Sequence, residues 1–266
     1  MPITGMPPGQ NASFYPDMQS EWLIGSIETQ GVRLAWSRAT SCACAPVNAQ
    51  TQQPDPNCPL CQGEGTFYFV PPDYVLSADA GELTEVQQAI LDNGAALIRG
   101  IVGKSHHIEE FYDPLGRWRW GKMFVAVRPE NRIGFHDRLV NLDSIIVHSE
   151  SVIVEANSAV VPTRYTVIDL TMMRSLTTVY SSATDYTIVN GVITLDPTVI
   201  PTEDTRLSVH YTTHPTWLVT DSPHAIRETS RRIPAPGSTG AYTPLGTVTA
   251  LPLLAQIELE MIPIED

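Results

Sequence analysis

The chain's only four cysteines fall in two tight pairs, Cys42-x-Cys44 and Cys58-x-x-Cys61, at either end of a loop rich in Pro and Asn. Two short spacings across one loop can converge on a single tetrahedral ion bound by four thiolates, which restricts how the chain around them can run. The second pair leads into Gly63 and Gly65, where the backbone can turn tightly. A β-rich run, Thr66, Phe67, Tyr68, Phe69 and Val70, then leaves the site. A Zn²⁺ site closed by Cys42, Cys44, Cys58 and Cys61 has no open position for water or substrate, so the ion would staple residues 40–66 and hydrolyse nothing.

Compartment bears on this reading. The first residues, MPITGMPPGQNASFYPDMQ, contain neither the basic region nor the apolar run of a secretory signal. No stretch approaches the roughly 18 consecutive apolar residues of a membrane-spanning helix. We therefore expect a chain made in the cytosol with no membrane partner. Thiols persist there, and paired cysteines serve as metal ligands more readily than as disulfides, with disulfides and unligated thiols as the alternatives. The segment CPLCQGEG also resembles one repeat of the cysteine-rich module of J-domain chaperones, but that module carries four repeats and only one is present.

The 266 residues, 42% hydrophobic, suffice for packed cores. The 22 prolines and 17 glycines, with few long helical periods, point to a mainly β chain of barrel or sandwich domains with a few short helices, a zinc-stapled loop and extended termini. Sixteen basic against 29 acidic residues give a formal charge of -13, which phosphates and anionic headgroups repel. Tight wrapping of DNA is not expected on that ground, whereas a channel wall that lets a polyanion pass without sticking is compatible with it.

Along the chain, residues 1–20 read as an N-terminal arm and 21–80 as a segment carrying the cysteine loop. Residues 81–160 read as a barrel-like domain, 161–230 as a sandwich-like hairpin region, and 231–266 as a linker with a C-terminal strand or arm. SEWLIGSIETQG reads as a short helix stopped by Gly31, and VRLAW as a strand. In GELTEVQQAILDN, Leu83, Val86, Gln87 and Ile90 recur at helical spacing behind Thr84, so a helix ending near Asn93-Gly94 is expected. SIIVHSESVIVE reads as two strand lengths. Asn190-Gly191 between DYTIV and VITL is the clearest hairpin signal, since Asn-Gly fits a type I′ turn. RRIPAPGSTGAYTPLG holds too much Pro and Gly for a central strand. The terminal stretch with Ile257, Leu259 and Met261 alternating against Glu258 and Glu260 suits pairing with a neighbouring chain's sheet edge.

Catalytic motifs are weak. His210 and His214 have the spacing of helical metal ligands, yet VHYTTHP alternates as a strand and ends in Pro215. His106 and His107 lie beside Glu109, Glu110 and Asp113 on an expected loop, where solvated polar residues are ordinary. No phosphate loop, G-x-S-x-G elbow or H-E-x-x-H occurs. Trp118-Arg119-Trp120, beside the Pro114-Leu115-Gly116 turn, suits packing or an interface, because no basic patch accompanies it to hold a nucleic-acid backbone. We expect no enzyme.

SCAC with PDPNCPLCQGEGTFY, the run GKMFVAVRPENRIGFHDRLV and the later YTTHPTWLVTDSPHAIRET together resemble the neck proteins of tailed bacteriophages, the head-to-tail connector or head-closure group. The resemblance implies a structural virion protein without catalysis, built on a small β-barrel, made in the host bacterial cytoplasm and located in the virion neck. It implies a homo-oligomeric ring of six or twelve subunits that contacts the portal or connector protein and the tail terminator or tube protein, with DNA passing through the lumen without specific binding. A tail or baseplate adsorption protein binding a host-surface receptor is the alternative. A metal-dependent hydrolase using His106, His107 and nearby carboxylates is a third reading.

Overall fold

A computed structural model describes residues 20–44, 54–55, 58–61, 63–72, 74, 81–103, 122–182, 184–221, 228–234, 242–250 and 253–260. The expected N-terminal arm, the His106–His107 cluster and the Trp118–Trp120 hairpin lie outside them. The chain is mainly β. In order, the elements are α1 (Ser20–Gln30), β1 (Val32–Ser41), β2 (Thr66–Phe69), α2 (Glu85–Asp92), β3 (Ala96–Gly103), β4 (Lys122–Val127), β5 (Arg138–Asn141) and β6 (Ile146–Val154). There follow β7 (Val160–Val161), β8 (Asp169–Arg174), β9 (Val179–Tyr180), β10 (Tyr186–Val189), β11 (Val192–Leu195) and β12 (Thr205–Thr213). The last four are β13 (Thr216–Asp221), β14 (Glu228–Pro234), β15 (Tyr242–Ala250) and β16 (Leu253–Leu259). No helix among the described residues is long and apolar enough to cross a membrane.

The largest sheet runs β2-β1-β3-β4-β16-β13-β5, and β5 pairs back onto β1, so the sheet rolls up as a barrel. Alternation along its strands sends Leu34, Trp36, Ile98, Val125, Val127, Leu139, Trp217, Val219 and Ile257 into one buried core. The intervening Ala35 and Leu97 face outward under α2, whose Ile90 and Leu91 cover them. Thr84 caps α2 in a reciprocal capping box with Gln87, and the Gln87 amide donates to the Leu142 carbonyl at 2.8 Å, fixing the helix on the sheet. The other helix, α1, has no basic residue in its last turn. Arg99 from β3 supplies the missing cation, donating to the Glu28 and Gly31 carbonyls at 3.0 and 3.3 Å.

Asp137 locks the roll. This carboxylate, 1% exposed, accepts from the Trp36 indole at 2.8 Å, the Ala39 amide at 2.9 Å and the Gly134 amide at 2.7 Å. Its backbone oxygen accepts the Val219 amide of β13 at 2.9 Å. One residue thus ties the start of β5 to β1 on one side and β13 on the other.

Between β5 and β13 the chain leaves the barrel and builds two further sheets, β6-β12-β8-β9 and β10-β11-β7, which share one core of Val152, Val154, Val167, Met173, Ile193, Leu207, Val209 and Tyr211. The β10–β11 hairpin turns at Asn190 and Gly191 with φ of 51° and 78°, the type I′ geometry expected from Asn-Gly. A Cβ on Gly191 would also stand 2.1 Å from the Thr166 Cγ2, so glycine is required there twice over.

Three expectations differ from the structure. SIIVHSESVIVE forms one strand, β6, because His-Ser-Glu-Ser contains no Gly, Pro, Asn or Asp to turn the chain and all nine positions of β6 find partners on β12. The Pro-rich stretch read as a linker overlaps the end of β14 and the start of β15, which pair with each other. A two-stranded ribbon has no central strand, so Pro234 and Pro244 leave no ladder broken on a second side. The C-terminal strand β16 pairs within its own chain, between β4 and β13, where Ala255 and Ile257 complete the barrel core.

Replacing Asp137 by Ala would strand the Trp36 indole and two amides in the core and should cost about 3 kcal/mol or more of unfolding free energy. Urea denaturation measures this, and a loss below about 1 kcal/mol would show that these bonds do not hold the barrel closed.

Candidate metal centre

β1 is longer than the barrel needs. Its first half lies between β3 and β5, while Arg38 to Ser41 continue outward and pair with Phe69 to Thr66 of β2. This hairpin carries both cysteine pairs. Cys42 and Cys44 follow the end of β1, and Cys58 and Cys61 precede the start of β2. The Cys42 amide donates to the Gly65 carbonyl at 2.8 Å, extending the ladder to the first ligand. Gly65 has φ of 74°, in the left-handed region that favours glycine, and a Cβ there would press on the Pro54 ring at 3.3 Å.

All four Sγ atoms lie within 4.8 Å of one another, with Cys42 to Cys58 at 3.6 Å and Cys44 to Cys61 at 3.3 Å. A tetrahedral ion with metal–sulfur bonds of about 2.3 Å sets its sulfurs about 3.8 Å apart, so the cluster fits such an ion with little movement. The cysteines are free thiols, three of them buried and Cys44 half-buried, with Phe67 packed against them.

Electrostatics within the cluster are uneven. The backbone amides of Cys61 and Leu60 point at the Cys58 sulfur and lower its pKa to about 7. Burial, together with the Cys61 and Cys42 thiols, pushes the Cys44 thiol up to about 12. Four thiolates so close would repel strongly, and a divalent cation is the natural means of ionising them together. Among the described residues this is the only group of three or more metal-capable side chains brought together.

The hairpin is braced against the rest of the molecule. The Arg138 guanidinium lies 3.9 Å from the Tyr68 ring centroid and donates to Glu260 at 2.9 Å, and Arg164 reaches the same Glu260 oxygen at 3.4 Å. The Glu260 side chain is only 6% exposed, so this pairing is enclosed and helps fix the two arginines. These residues, with Leu60, Cys61, Tyr165 and His214, line a groove of about 730 Å³. Burial holds the His214 imidazole below its ordinary range, so it stands neutral and donates through Nδ1 to the Ser144 carbonyl. His210 sits on β12 and bonds to Ser149, so the two histidines read as a strand pair do not act jointly.

The sequence displays the cysteines, and the structure brings all four together. It does not display Asp137, Arg138, Arg164 or Glu260. Asp137 and Arg138 are neighbours in a short polar run that looks like a turn, Arg164 and Glu260 lie far from it in the chain, and no spacing links the three places.

No protein-family model matches the chain, and no curated protein matches it. What the fold and site define is a mainly β chain with a four-cysteine cluster compatible with a metal ion.

Purified protein should carry one divalent metal ion per chain by elemental analysis. Cys58→Ser should reduce that content several-fold while far-UV circular dichroism stays near wild type, because the barrel core does not include the hairpin tip. Undiminished metal in the variant would mean that the cluster is not the binding site.

Proposed function

We propose that this protein is a structural component of a tailed-phage virion, forming a ring in the neck that joins the portal to the tail, with Zn²⁺ as the ion of its four-cysteine centre. The observation that carries this reading is where the family-like segments fall. SCAC ends β1, GKMFVAVRPENRIGFHDRLV spans β4 and β5, and YTTHPTWLVTDSPHAIRET contains β13; β5 pairs with both β1 and β13 in one barrel. Segments distant in sequence thus form a single unit of the barrel type that the resemblance implies.

Zinc follows from the donor set, since four thiolates in a tetrahedral arrangement suit a borderline-soft ion without geometric preference of its own. Closed by four sulfurs, the ion has a holding role. The charge of -13 suits a wall along which DNA passes without adhering. Contacts that repeat head to tail close into rings when their rotation closes, and the resemblance implies six or twelve copies between portal and tail tube.

Immunogold labelling of intact virions tests the assignment. Label at the head–tail junction is the expected result. Label at the distal tail would favour receptor adsorption instead, and absence of the protein from virions would overturn both. Zinc in elemental analysis is expected, and Cys61→Ser should lower the yield of tailed particles at least several-fold without abolishing any turnover.

A further inference from the structure

The sheet β6-β12-β8-β9 ends on one side in β9, two residues long, and on the other in β6, nine residues long. Short edges are protected by their length. β6 is not, and it carries no Pro, Lys or Arg and no bulge against β12. Among the described residues no strand pairs with its other edge. Its outward face shows Ile145 at 60% exposure, Val147 at 60% and Ile153 at 50%. An edge of this kind is a template for another strand.

The sequence of the edge indicates which strand. Read about Ser149, the ends of Ile145 to Ile153 mirror each other: Ile145 matches Ile153 and Ile146 resembles Val152, while nearer the centre Val147 stands against Ser151 and His148 against Glu150. Antiparallel pairing of β6 with a second β6 in that register sets Ile145 opposite Ile153 and Ile146 opposite Val152. It also sets His148 opposite Glu150, twice; burial keeps the His148 ring below its ordinary pKa and hence neutral, so an imidazole N–H faces a carboxylate across the contact. The Glu150 carboxylate already accepts the Tyr211 hydroxyl at 2.7 Å and the Arg164 amide at 2.9 Å, both through Oε1. Its Oε2 is the oxygen for the partner's His148. The His148 ring is held edge-on to Tyr165 and Tyr211, which fixes its direction.

We propose that β6 is an interface with a second copy of this chain, formed by antiparallel β6–β6 pairing about a two-fold axis at Ser149. The contact is isologous, so it closes at two copies and covers the edge without propagating into fibres. It is a contact of the free protein and does not rest on the neck reading.

Light scattering on the purified, metal-loaded chain should give a dimer at micromolar concentration. Ser149→Cys places one thiol beside its own copy at the axis and should yield a covalent dimer under mild diamide oxidation, whereas Ser151→Cys, which faces Val147 of the other copy, should cross-link at least about tenfold more slowly. Ile153→Lys, on an exposed position that the fold tolerates, should raise the dimer dissociation constant about tenfold or more. A monomeric wild type, equal cross-linking of the two cysteine variants, or an oligomer indifferent to Ile153→Lys would each overturn the proposal. None of these results bears on whether the protein labels at the virion neck.

Discussion

The barrel closes at one buried carboxylate. Asp137 precedes β5, the strand that returns to β1, and a polar group so enclosed is tolerated only where hydrogen-bond partners surround it. Three donors do: the Trp36 indole and Ala39 amide from β1, and the Gly134 amide from the turn before it. The backbone of the same residue binds Val219 on β13. The position of β5 therefore determines where β13 pairs, and through β13 the place of the C-terminal strand β16.

The metal-compatible centre depends on that closure through β1. Half of the strand is barrel and half is hairpin, so whatever fixes Leu34 and Trp36 in the core also aims Cys42 and Cys44 outward toward Cys58 and Cys61. A second tie runs through Tyr68, Arg138, Glu260 and Arg164, joining the hairpin to the barrel and to the inserted sheets. An ion at the cysteines would stiffen a hairpin already braced at its base.

Local signals read well where the physics is local. The Thr84–Gln87 capping box and the Asn190-Gly191 turn are formed by residues a few positions apart, so spacing and propensity sufficed. The cysteine pairs were legible for the same reason. Strand pairing was less so. Period-2 alternation marks a strand without naming its neighbour, and so the single strand β6, the β14–β15 ribbon and the internal place of β16 all depart from the reading of the residues alone. Asp137 shows the limit most clearly, because an aspartate before a strand looks like any turn residue until Trp36 lies beside it.

By itself the sequence determined that the chain is β-rich, where its helices and its tightest hairpin lie, and that four thiols stand ready as one ligand set. These follow from short-range sterics, capping and the spacing of residues joined by a short loop. The tertiary structure alone decided that β1 is shared between barrel and hairpin, that residues 146–213 leave and re-enter between β5 and β13, and that Glu260 is enclosed by two arginines. Each of those is a contact between residues far apart in the chain, settled by which partners bury the most apolar surface while pairing most of the polar groups they enclose.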